Sequence, residues 1–127
     1  MSHSNPIYFD IAATTPVDPH VLEAMHKIDY DYFGNPSSIH QLGQKSHNLI
    51  ERCRKNIASY LKCQSSEIVF TSGGTESNNM SLKGVLSKGD HLITSTYEHP
   101  SILNVAKKLE SEGIEITYVK PNNDGII

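Results

Sequence analysis

The densest group of residues able to do chemistry is Thr71-Ser72-Gly73-Gly74-Thr75-Glu76-Ser77-Asn78-Asn79. Two glycines let the backbone approach a ligand closely. The stretch follows an apolar segment and opens a helix, so hydroxyls and first-turn N–H groups converge where the helix dipole is positive. Such a turn binds phosphate. Helix capping by Thr75 or Ser72 accounts for the same residues equally well. No GK[ST] follows the glycines and the pattern is not GxGxxG, which removes the two common nucleotide loops. The ligand that remains is a small phosphate monoester on a helix N-terminus.

A second group is Tyr97-Glu98-His99-Pro100. An imidazole at His99 can stack on a planar cofactor, a contact worth about 1 kcal/mol by analogy with aromatic pairs. It can also move a proton near neutral pH. Taken alone, one histidine reads as a surface or capping residue. Its place gives it weight: His99 and the Gly74-Thr75 turn both fall at carboxyl ends of expected strands, where parallel sheets collect ligands.

The elements that would position these groups follow from pattern. Ile7-Tyr8-Phe9 reads as a short strand and Ile11 to Pro16 as a tight loop. Asp18-Pro19 opens a helix to about Tyr32, and Gly34-Asn35-Pro36-Ser37-Ser38 breaks it. A long helix spans about 40–61, with Leu42, Leu49, Ile50, Cys53, Ile57, Tyr60 and Leu61 at spacings near three and four. Strands at Ile68–Phe70, Leu92–Ile93 and Ile114–Val119 alternate with helices at about 76–86 and 100–109, the order of βαβ units in a parallel sheet. The fold class is therefore α/β: N-terminal helices followed by βαβαβ units. The chain reaches Asp124-Gly125-Ile126-Ile127 where a further element is expected. The organisation is a single incomplete domain, with about 1–62 as an N-terminal helical segment and 63–127 as the start of a larger sheet domain.

Bulk properties narrow the class. The 127 residues carry a net charge of -3, with 37% hydrophobic and 20% charged residues and no tryptophan. No basic patch suggests a nucleic-acid or anionic-membrane partner. No apolar run approaches the roughly 20 residues of a membrane span, and the polar start is not a secretory leader. Cys53 and Cys63 read as reduced thiols of a soluble cytoplasmic or organelle-matrix protein. Cys53 falls on the apolar stripe of the long helix, hence buried, and Cys63 just beyond it, hence more exposed. The histidines at 3, 20, 26, 40, 47 and 91 form no metal-ligand spacing, so no metal is expected.

Four blocks carry a family resemblance. They are Tyr8-Phe9-Asp10-Ile11-Ala12-Ala13-Thr14-Thr15-Pro16-Val17-Asp18-Pro19, Gly34 to Ser38 with His40, Phe70 to Asn79, and Glu98-His99. In order and spacing the chain resembles the N-terminal part of NifS/IscS-type cysteine desulfurases, fold-type-I pyridoxal-phosphate enzymes of the class V aminotransferase family. Ser72 to Glu76 favours this branch over the SufS-like one. The resemblance implies a transferase that converts L-cysteine to L-alanine and holds the sulfur as an enzyme-bound persulfide for iron–sulfur cluster or thio-cofactor assembly. It implies a homodimer and a sulfur-acceptor or scaffold protein as partner, and makes 63–127 the start of the cofactor-binding large domain. It assigns Gly74 and Thr75 to the cofactor phosphate. His99 is assigned to stacking and proton movement as the catalytic residue, and Ala12 and Ala13 to the neighbourhood of the substrate. Ile11 departs from the polar residue often found there and cannot donate a hydrogen bond.

The same family needs a lysine to hold the cofactor, an acid for its ring nitrogen and a persulfide cysteine, and places all three farther downstream. The nine lysines here lie in polar contexts, mostly on helix faces; Cys53 reads as a buried thiol, and Cys63 has no cationic neighbour beyond Lys62 to lower its pKa. The expectation is that these 127 residues alone do not turn over. The competing reading is a non-catalytic fragment that binds a phosphate ligand or only assembles.

Overall fold

The computed structural model describes residues 7–127. The chain folds as two compact units, one up to Ile68 and another from Val69 onward.

In the first unit Asp18 caps helix α1 (Pro19–Asp31), its carboxylate accepting from the His20 N–H at 2.8 Å. Pro19 at the first position lacks only an N–H that the helix leaves unused. Helix α2 (Gln41–Leu61) ends at Lys62, whose φ of 55° puts it in the left-handed region. The loop between them is tied down: Ser46 Oγ donates to the Tyr32 carbonyl at 2.8 Å and Lys45 Nζ to that of Asp31 at 2.9 Å. The loop also lies directly on α2. A Cβ at Gly34 would stand 2.5 Å from the Leu42 carbonyl oxygen, and one at Gly43 would stand 2.5 Å from that of Asn35. Only glycine allows this approach.

In the second unit helix α3 (Gly74–Val85) precedes strand β1 (His91–Ser95), helix α4 (Pro100–Ser111) and strand β2 (Glu115–Val119). The two strands pair in parallel, from His91 opposite Glu115 to Ser95 opposite Val119, with α4 as the crossover. Val105, Leu109 and Ile114 form the core, with Leu82, Leu86 and Ile116 packed against it. Gly113, at φ 94°, makes the turn from α4 into β2. The helices and parallel strands are those of an α/β protein.

Several expectations need correction. Ile7–Phe9 and Ile68–Phe70 are not strands. Ile68 has extended backbone, but a strand is defined by a ladder partner as well as by local conformation, and the sheet of the described residues holds β1 and β2 only. The βαβαβ run is thus a single βαβ preceded by α3. Helix α3 starts at Gly74 rather than near Glu76, because glycine's poor helix propensity hides its first turn. Cys53 is exposed and Cys63 only partly so, the reverse of the expected order. The stripe containing Cys53 is amphipathic as read, yet much of it is uncovered, with Leu42, Ile57, Tyr60 and Leu61 all exposed.

Candidate cofactor site

The turn before α3 is shaped by its own side chains. The Glu76 carboxylate reaches back to accept from the Ser72 N–H at 2.6 Å and the Ser72 hydroxyl at 2.7 Å. These two donors hold the carboxyl below the usual carboxylate range, with a slight opposing effect from desolvation. The hydroxyls of Thr71 and Ser77 lie 2.7 Å apart, so one donates to the other, and both are within hydrogen-bond distance of the Gly73 carbonyl, to which the second can donate. The capping role considered for Ser72 or Thr75 is not what forms: Gly73 is the N-cap and no side chain caps the helix.

Gly74 and Thr75 are therefore the first two residues of α3, where N–H groups have no partner within the helix. Among the described residues the Thr75 hydroxyl has no hydrogen-bond partner. A Cβ at Gly73 or Gly74 would meet nothing within 4 Å, so the turn borders open space. Donors exposed on open space at the positive end of a helix suit an anion.

His99 caps α4. Its Nδ1 accepts from the Ser101 N–H at 3.1 Å, and Pro100 takes the first helical position. The preceding loop is held by Ser95, whose Oγ accepts from the Tyr97 N–H at 3.1 Å. Packing of α3 on α4 brings the two groups together. Gly74, Thr75, Asn78, His99 and Ser101 line one concavity of about 330 Å³. An adjoining groove of about 460 Å³ shares Thr75 and His99 and runs toward Lys83 and Lys108. Asn78 had no role of its own within the Thr71–Asn79 group, and Ser101 was not singled out from sequence. Their one visible signal is position: Asn78 lies one helical turn past Thr75, and Ser101 two residues past His99.

Ala12 and Ala13 lie in a turn of the first unit, closed by the Ala13 N–H to the Asp10 carbonyl at 3.0 Å. The Tyr8 hydroxyl lies within hydrogen-bond distance of the Asp10 and Thr14 carbonyls. Both alanines are exposed. No group of three metal-ligating side chains occurs among the described residues, and no described helix is long and apolar enough to cross a membrane.

An α/β unit with a phosphate-type turn and a histidine on one concavity defines a class, and comparison with known proteins gives it a name. The chain belongs to the aminotransferase class-V family, which matches residues 7–127. Within that family its relatives are cysteine desulfurases. It is 47% identical over 131 residues to cysteine desulfurase IscS of Pseudomonas savastanoi pv. phaseolicola, covering 96% of this chain and 32% of the relative. It is 42% identical over 129 residues to the mitochondrial cysteine desulfurase of Eremothecium gossypii, covering 98% and 26%. Among solved structures, SspA in complex with cysteine matches with a TM-score of 0.85 at 46% identity, over 94% of this chain and 36% of that one. A NifS-like protein matches with a TM-score of 0.78 at 38% identity, over 84% and 30%. The chain thus spans about a third of the length of the curated IscS relatives it matches. The resemblance carried by the four sequence blocks holds.

Proposed function

We propose that this chain is the N-terminal portion of a pyridoxal-phosphate-dependent cysteine desulfurase, converting L-cysteine to L-alanine and enzyme-bound persulfide sulfur. The observation that carries this reading is the open N-terminus of α3, with Gly74 and Thr75 on the same concavity as His99. The residues fit the cofactor: a phosphate needs N–H and hydroxyl donors with open space before them, and a flat ring needs a flat neighbour. When bound, pyridoxal phosphate supplies an electron sink for bond changes at the substrate's α-carbon.

The chain's own residues have three tasks. Gly74 and Thr75 bind the phosphate through backbone N–H groups and the Thr75 hydroxyl. His99 stacks its ring on the cofactor and handles a proton. The family resemblance assigns the small-residue turn of Ala12 and Ala13 to the neighbourhood of the substrate. The likeness to proteins named cysteine desulfurase supports L-cysteine as substrate, as does the solved complex of SspA with cysteine. The product sulfur would pass to an acceptor or scaffold protein for iron–sulfur cluster or thio-cofactor assembly. The enzyme would be a homodimer of the cytoplasm or an organelle matrix. In organisation, the resemblance supports reading about 1–62 as an N-terminal segment and 63–127 as the start of the cofactor-binding domain. These relatives give no support to a non-catalytic fragment.

The test is L-alanine release from L-cysteine by the full-length polypeptide with pyridoxal phosphate, for the parent, His99→Ala and His99→Phe. The parent should release alanine in step with sulfur. Phenylalanine should restore cofactor retention more than turnover, because it stacks but carries no proton. A parent that makes no alanine, or two variants that run at the parent rate, would refute the reading.

A further inference from the structure

His99 does more in this structure than face the concavity, because its other ring nitrogen is fully engaged. Nδ1 lies 3.1 Å from the Ser101 backbone nitrogen. A backbone N–H only donates, and a neutral imidazole has one accepting nitrogen. Nδ1 must then be the acceptor, and the ring proton sits on Nε2. Ser101 Oγ lies 2.8 Å from the same Nδ1, and Asn78 Nδ2 lies 2.8 Å from Ser101 Oγ. The amide donates to Oγ, which leaves the hydroxyl proton to point at Nδ1. The donors run in one direction, from Asn78 to Ser101 to His99. Ser101 is 9% exposed, so water competes little for these bonds. Among the described residues Nε2 has no partner.

We infer that Ser101 and Asn78 are positioning residues that hold His99 as the Nε2–H tautomer, so that the ring meets the concavity as a hydrogen-bond donor. The functional meaning rests on the cofactor site proposed above, but the tautomer itself does not. His40 supplies an internal contrast: its Nδ1 accepts from the Gly43 N–H at 3.3 Å to cap α2, with no side-chain donor behind it among the described residues. Asparagine is a poor helix former, and its place inside α3 is explained by this task.

The experiment uses the full-length protein with isotope-labelled histidine, His99 signals being assigned through His99→Gln. At about pH 8.5 an ordinary imidazole is neutral, and its ring carbon and nitrogen shifts report the tautomer. The parent should show Nε2–H at His99. Ser101→Ala removes one of two donors to Nδ1 and should lower the tautomer ratio about fivefold, the effect of one typical hydrogen bond. Asn78→Asp replaces a donating amide with a carboxylate that accepts the Ser101 proton. This turns Oγ around and should move the ratio further toward Nδ1–H. His40 and His91 signals should not move in either variant; His91 opens β1 in the same unit as the network, so it reports an intact fold there. A parent with Nδ1–H, or a ratio unmoved in both variants, overturns the inference. Pyridoxal-phosphate binding by the same samples separates the two claims. A parent with the expected tautomer that binds no cofactor refutes the proposed function alone; a loaded parent with Nδ1–H refutes the positioning network alone.

Discussion

The unit up to Ile68 and the unit from Val69 onward use apolar residues in opposite ways. In the second, Val105, Ala106, Leu109 and Ile114 are buried where α4 meets its neighbours. In the first, α1 buries nothing, and α2 buries only Gly43, Ser46 and Ala58. Val21, Leu22, Met25 and Ile28 repeat at helical spacing and are all exposed. Periodicity reports that a helix is amphipathic and is silent on what covers its face. The unit with a core is the one that carries the phosphate-type turn and His99, so the candidate cofactor cradle stands on packed elements, as precise ligand geometry requires.

The largest effect should separate the two units. Leu109 is 3% exposed and Leu22 is 45% exposed. In denaturant unfolding of this chain, Leu109→Ala should cost about 2–5 kcal/mol, the range for a leucine cavity. Leu22→Ala should cost less than about 1 kcal/mol. Equal losses would mean that α1 is as well packed as α4.

A smaller contrast lies in two glycines. A Cβ at Gly43 collides with loop carbonyls, whereas one at Gly74 meets nothing. Gly43→Ala should therefore destabilise by about 1–3 kcal/mol, as overpacking does. Gly74→Ala should stay within about 0.5 kcal/mol of the parent, as thermal unfolding would show. Glycine thus marks a packing constraint at 43 and an open approach at 74.

The smallest effect concerns Glu76. Its folded carboxyl is held below its ordinary value by the Ser72 donors. A depressed acid contributes stability above its unfolded pKa and loses it as pH falls through the folded value. The contribution should be complete above about pH 4.5 and fade below it. Comparing unfolding midpoints of the parent and Glu76→Gln between about pH 6 and 3 checks this: the gap should be widest at about pH 6 and close toward about pH 3. The carboxyl is exposed, so the change is small.

Much of this was legible in the residues. Asp18-Pro19 and His99-Pro100 announced two helix starts because cap and proline act locally. Four blocks in family order pointed to the cysteine desulfurases. Sheet membership of 68–70 was not legible, since a ladder depends on a partner far along the chain. The burial order of Cys53 and Cys63 failed because a stripe does not name its cover. The Asn78–Ser101–His99 chain was hidden because Asn78 and Ser101, 23 residues apart, meet only through packing of α3 on α4.

The central claim is that Gly74 and Thr75 read a phosphate at the N-terminus of α3. Its most direct test compares the affinity of full-length parent and Thr75→Val for pyridoxal phosphate and for pyridoxal, which lacks the phosphate. Valine keeps the shape of threonine and removes its hydroxyl. A hydrogen bond to a charged group is worth about 1.5–3 kcal/mol, so pyridoxal phosphate should bind at least about tenfold more weakly to the variant. Pyridoxal should bind both proteins within about twofold. If the two ligands lose affinity equally, or neither loses any, the turn does not hold the phosphate.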